Sequence, residues 1–138
     1  MRFATREWFE AVVAAVNAHP DLGRALEGLP ADAGAVVERD RALPRSVAVW
    51  GRQAGGRIAE WRVLADEDDL LELEPAYVFR APYGVWRSLL EGANPLDAAL
   101  SGRVKVQGDL EALVRRTRWR YVVDAALAAV ETEFEGGR

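Results

Sequence analysis

The chain has 138 residues, half of them hydrophobic, with five Trp, no Cys and a formal net charge of -4. That length suits a single domain over residues 1–138 that buries roughly two-thirds of the surface its unfolded chain exposes. The acidic balance argues against broad affinity for nucleic acid or for an anionic membrane surface, and the lack of Cys removes disulfides, thiolate nucleophiles and thiolate metal sites.

The uncharged run from Ala11 to Pro20 follows Glu7 and Glu10 and contains Asn17 and His19, so it lacks the organisation of a signal peptide. No run approaches membrane length, and the cytoplasm is the default compartment. Thr5 is placed to cap a first helix whose Trp8, Phe9, Val12, Val13 and Val16 fall on one apolar face. Pro20 ends that helix at His19, because proline biases the residue before it away from helical angles. Between Asp21 and Leu43, Leu22, Leu26 and Leu29 suit a short helix and Val36-Val37 the start of a strand. Gly23, Gly28, Pro30 and Gly34 interrupt both patterns.

After Pro44, the runs Val47 to Trp50 and Ile58 to Leu64 flank Gln53-Ala54-Gly55-Gly56, whose glycines supply the positive backbone angles of a hairpin loop. On the second strand Ala59, Trp61 and Val63 share one face while Glu60 and Arg62 point the other way, which implies a dry and a wet side of the sheet. Asp66 to Asp69 reads as an acidic turn. Leu70 to Arg80 reads as one or two further strands broken by Pro75, with Tyr77 and Phe79 on a common face.

Trp86 to Leu113 is the most heavily punctuated stretch. Leu89, Leu90, Leu96 and Leu100 lie near helical spacing but are interrupted at Gly92, and Asn94-Pro95 makes an N-cap followed by a first-turn proline. Ser101-Gly102 closes the second helix. Arg103 to Gln107 alternates with a period of two, as a strand with one wet face does, and Gly108-Asp109 turns the chain into a helix bearing Leu110, Leu113 and Val114. Farther on, Trp119, Val122, Val123, Ala126, Leu127, Val130 and Phe134 form one helical stripe, and Glu135 to Arg138 reads as a frayed tail.

Few residues suggest chemistry. His19 stands alone at a helix end, and Asp66 to Asp69 lacks the oxygen-ligand spacing and glycine of a calcium loop. Glu72 and Glu74 suit an exposed strand face better than an acid-base pair. No dinucleotide fingerprint or phosphate loop occurs. Arg115, Arg116, Arg118 and Arg120 surround Trp119; the first three are candidate contacts for an anion, with the phosphates of coenzyme A the first to test, against a plain role as solvent-facing arginines.

The sequence W-x-x-L-L-x-G from Trp86, the short helix after it and G-R-V-K-V-x-G-D-x-x-x-L from Gly102 resemble the C-terminal half of the sterol carrier protein 2 family, over roughly residues 76 to 114. The resemblance implies an α+β fold. It comprises a five-stranded, mainly antiparallel sheet covered on one face by helices, an apolar tunnel, and here an additional C-terminal amphipathic helix from Trp119 to Phe134. The apolar residues Trp50, Trp61, Tyr77, Phe79, Trp86, Leu89, Leu90, Leu100, Val106 and Leu113 are the candidate ligand-binding set. The resemblance places Tyr77 and Phe79 on a central strand, Trp86, Leu89 and Leu90 on the following helix, Val104 and Val106 on the last strand, and Leu110 and Leu113 at the tunnel's end. The chain departs from the family at Arg80-Ala81-Pro82-Tyr83-Gly84, in the added helix and in ending without Ser-Lys-Leu.

The expectation is therefore a non-enzymatic carrier of a fatty acid, fatty acyl-CoA or sterol- or isoprenoid-like lipid, with no cofactor, no metal and no stable membrane insertion. The alternative is an interaction module with a filled core, whose C-terminal helix dimerises or recruits a partner. That helix would act as a lid on the tunnel or as half of a homodimer interface.

Overall fold

The computed structural model describes residues 1–135. Gly136, Gly137 and Arg138, most of the expected tail, lie outside the described residues. Twelve elements follow one another: α1 (Arg6–Ala18), α2 (Leu22–Leu26), β1 (Asp32–Glu38), β2 (Val47–Ala54), β3 (Arg57–Leu64), α3 (Glu67–Glu72), β4 (Val78–Pro82), α4 (Tyr83–Leu90), α5 (Pro95–Leu100), β5 (Lys105–Gln107), α6 (Leu110–Val114) and α7 (Thr117–Ala129). The strands form one sheet in the order β3-β2-β1-β4-β5. Only β1 and β4 run parallel; the other neighbours are antiparallel.

The expected caps are present. The Thr5 side chain accepts from the Trp8 N–H, Asn94 from Leu96 and Asp97, and Asp109 from Ala112. Each satisfies donors that a helix start otherwise leaves unpaired. Gly55-Gly56 forms the β2–β3 turn.

The segment with the weakest pattern supplies the middle of the sheet. β1 lies between β2 and β4, and its Gly34 faces Leu70, where an added Cβ would stand 2.3 Å from the Leu70 Cδ1. Glycine is required there by the close approach of α3.

α3 also corrects the sequence expectation on both sides of Leu70. Asp66 to Asp69 is a helix start, not a free turn: the Asp66 carboxylate accepts from the Asp68 N–H, and Glu67, Asp68 and Asp69 occupy the first turn, where the helix dipole favours negative charge. Leu70 is helical rather than part of a strand, and so is Glu72, while Glu74 follows the helix with φ +48 and is exposed. The sheet face expected to be wet is thus covered at its centre. Leu70 packs against Val36, Ala48, Trp50 and Val78, with Leu64 and Leu73 around them. It remains polar at the β3 edge, where Glu60 pairs with Arg52 and Arg62. The Arg62 hydrogen bond, aided by both guanidinium charges against the opposing effect of burial, holds the Glu60 carboxyl below the usual range.

α1, α2 and α7 form the main helical layer on the other face. Val16, Leu22, Ala25, Leu26, Val122 and Ala126 make one cluster with Ile58 and Trp119 at its margin. Phe3, Trp8, Val37 and Tyr83 make a second, which Leu90, Leu127, Val130 and Phe134 complete. The long C-terminal helix stops at Ala129, short of the expected Phe134, because the chain turns to run beside the N-terminus. The Phe3 N–H donates to the Glu133 carbonyl at 2.8 Å, and the Glu133 N–H to that of Met1 at 2.7 Å. Glu135 is anchored rather than frayed, its N–H donating to the Tyr83 hydroxyl at 2.8 Å. Most of the apolar stripe of α7 packs against its own chain, Val122 and Ala126 with α1 and α2, and Leu127 and Val130 with Phe3, Trp8 and Tyr83.

Candidate functional site

A cavity of about 200 Å³ lies between the helical face of the sheet and its cover. The register sets its floor. Ala33 of β1 and Gly51 of β2 are paired, and Gln53 of β2 and Ile58 of β3 are paired two residues on, across a register shift that skips Ala59. Such a bulge re-aims side chains. It keeps Ile58 on the cavity side and leaves Ala59 exposed rather than on the dry face with Trp61 and Val63.

Tyr77, just before β4, and Phe79 within it add two parallel rings, 5.8 Å apart with an interplanar angle of 8°. The Tyr77 hydroxyl donates to the Asp109 carbonyl at 2.6 Å, which fixes the ring against the start of α6. At Gly108 the backbone passes so close that a Cβ would lie 2.5 Å from Tyr77 Cδ1, and φ there is +122. Leu26 of α2 and the loop Leu29-Pro30-Ala31 make one wall; Leu113 of α6 and Trp119 of α7 make another.

Two polar devices join these walls. Arg116, in the α6–α7 link, donates to the carbonyl oxygens of Glu27 and Gly28 at 3.3 and 3.2 Å. Gln53 Nε2 donates to those of Pro30, Leu29 and Leu26 at 2.9, 3.0 and 3.4 Å. Both serve carbonyls around the end of α2 that the helix itself leaves unpaired.

Of the ten residues expected to bind ligand, Tyr77, Phe79 and Leu113 line this cavity. Trp50 is on the opposite face, under α3, with its indole N–H donating to Asp32 at 2.9 Å. Trp61 lies under the Arg6 guanidinium, 5.4 Å from its ring centroid. Trp86, Leu89 and Val106 pack around Ala81, Ala98 and Val104, and Leu90 packs with Tyr83 and Phe3, so these four fill core. Leu100, 72% exposed, is no tunnel wall. Helical and strand periodicity identify an apolar side chain without saying which of several clusters it joins. Leu26, Leu29, Gln53, Ile58 and Trp119 also line the cavity and were not among the expected binding residues; the only sequence signal for Gln53 is a polar residue on the apolar face of a strand.

The arginines separate as well. Arg115 pairs with Glu111 at 2.7 Å, one turn away, and Arg116 serves the α2 carbonyls. Arg118 borders a different concavity, with Asp21, Arg24, Thr117 and Tyr121. His19 accepts from the Asp21 N–H at 3.1 Å and meets the Tyr121 ring edge-on at 5.6 Å, a helix-end role. Among the described residues there is no group of three or more potential metal ligands and no helix long and apolar enough to cross a membrane.

Compared by sequence, the chain matches no family model and no curated protein at a significant level. Compared by structure, it is similar to a crystal structure of sterol carrier protein 2, with a TM-score of 0.71 and 21% identity over 91% of this chain and 98% of that one. It is also similar to a conserved hypothetical protein of Thermus thermophilus, with a TM-score of 0.72 and 20% identity over 95% and 92% of the two chains. Sterol carrier protein domain 2 of Helicoverpa armigera aligns with a TM-score of 0.62 and 16% identity over 95% and 94%. The chain therefore has the sterol carrier protein 2 fold.

Proposed function

We propose that this chain is a single-domain, non-enzymatic binder or carrier of an apolar ligand, held in the cavity between β4, the β2–β3 hairpin, α2, α6 and α7. The observation that carries the proposal is the apolar cavity itself, with Tyr77, Phe79, Leu113 and Trp119 around it, in a fold shared with sterol carrier proteins. Apolar surface withdrawn from water contributes about 25 cal/mol per Å², so a chain of several methylenes gains useful affinity without a charged anchor. Fatty acids, fatty acyl-CoA and sterol- or isoprenoid-like lipids are the ligand classes that meet this need.

The cavity is smaller than the roughly 300–1,000 Å³ of typical ligand sites, so a long ligand requires α6 and α7 to part from the α2 loop. The Arg116 and Gln53 hydrogen bonds are what such a movement would loosen. Arg118 and Arg24, outside the cavity, are the anion contacts that a phosphate-bearing ligand would use.

The small volume also favours a second reading, an interaction module whose interior is closed by its own side chains, as the packing of Trp86, Leu89, Leu90 and Val106 suggests. Native mass spectrometry of the protein after exposure to a lipid extract, with titration of a fluorescent fatty acid, separates the two. Retention of an apolar ligand at unit stoichiometry supports the carrier; absence of any bound lipid or probe overturns it in favour of the interaction module.

A further inference from the structure

The cavity wall offers an acceptor but no available cation. Gln53 has a defined amide orientation, because its two N–H bonds face the carbonyls of Pro30, Leu29 and Leu26. The flipped amide would set oxygen against oxygen. Its Oε1 accepts no hydrogen bond among the described residues.

The charged groups nearby point to the same chemistry. Asp32 borders the cavity, but its carboxylate turns to the opposite face of the sheet, where it accepts from the Trp50 indole and the Ala76 N–H at 2.9 and 3.0 Å. The Arg52 guanidinium likewise points to the opposite face, with its Nε directed to Glu60 at 3.4 Å, and Arg116 is engaged with Glu27 and Gly28. A carboxylate entering this cavity would lose its water and find no free guanidinium. A hydroxyl would lose less and could donate to Gln53 Oε1.

Building on the ligand binding proposed above, we infer that Gln53 determines headgroup specificity, selecting an apolar ligand that ends in a hydroxyl over one that ends in a carboxylate. The bulge beside Gln53 and the three carbonyls that fix its amide pre-organise the acceptor.

The test is displacement of Nile red from the full chain by decan-1-ol, decyl methyl ether and decanoate. The alcohol should act at a concentration at least about threefold lower than the ether, the factor supplied by one modest neutral hydrogen bond. It should exceed decanoate by more than that near neutral pH, and the difference should close as pH falls towards the carboxyl range of about 4–5, where the acid binds uncharged. Gln53→Lys keeps donors for the three carbonyls, removes the acceptor and adds a cation. If its thermal melt is near that of the parent, it should prefer decanoate. Ether equal to alcohol, or decanoate the tightest in the parent chain, overturns the inference while leaving ligand binding intact. A folded Gln53→Lys that still prefers the alcohol does the same. If none of the three displaces the probe, ligand binding itself fails and this inference with it. The parent-chain comparison decides the matter if Gln53→Lys does not fold.

Discussion

The Tyr77 hydroxyl donates to the Asp109 carbonyl at 2.6 Å, joining the floor of the cavity to the residue that caps α6. One bond therefore spans the sheet and the wall that carries Leu113. Tyr77→Phe keeps the ring and its parallel partner Phe79 but leaves that carbonyl with only the Leu113 N–H, at 3.2 Å, as donor. Stability should fall by about 1 kcal/mol, and ligand affinity should drop less than stability does. Denaturant unfolding and probe titration on the same preparation check this; a stability unchanged by the substitution would mean that the bond contributes nothing net.

Leu113→Trp should fill the cavity. Leu113 is half-buried and faces the void beside Trp119, so the larger ring has space that Leu90, packed among Tyr83, Phe3 and Trp86, does not offer. The variant should lose most probe binding with a stability change of less than about 1.5 kcal/mol. Leu90→Trp should instead overpack the core, at a cost of about 1–3 kcal/mol. Full ligand binding by Leu113→Trp would remove this cavity from consideration.

Gly34→Ala tests the contact that sets α3 on the sheet. The new methyl would clash with Leu70, which is fully buried, and the cost should be about 1–3 kcal/mol. Adding Leu70→Ala should recover part of that loss, so the double-mutant cycle should show coupling of at least about 0.5 kcal/mol. Strict additivity would place the clash elsewhere.

Asn17 protects a sheet edge. Its Oδ1 accepts from the Ile58 N–H at 2.8 Å and its Nδ2 donates to the Ile58 carbonyl at 3.1 Å, as a neighbouring strand would on the outer side of β3. Asn17→Ala should cost about 1–2 kcal/mol and expose two backbone groups that can template pairing with another chain. Light scattering over a concentration series should show more self-association than in the parent protein; an identical profile would mean that the rest of the edge is protected without Asn17.

Local chemistry was enough to locate the caps at Thr5, Asn94 and Asp109, the Gly55-Gly56 hairpin, the β5 alternation and the apolar stripe of α7, since each depends on residues within one or two turns of chain. The Asn94 and Asp109 caps and the β5 alternation lie in the stretch that carried the resemblance to the sterol carrier protein 2 family. Tertiary structure alone decided the rest. β1 is central although glycine interrupts its pattern, because Leu70 needs the space that Gly34 leaves. Glu67–Glu72 is a helix because a partly buried sheet face is available to receive Leu70. Periodicity marks the apolar side of each element but not the cluster it will meet, and so it grouped Trp50, Trp86 and Leu100 with Tyr77. The cavity depends on a register shift at Gln53 and on where three backbone carbonyls end, and neither is encoded in the hydrophobic pattern.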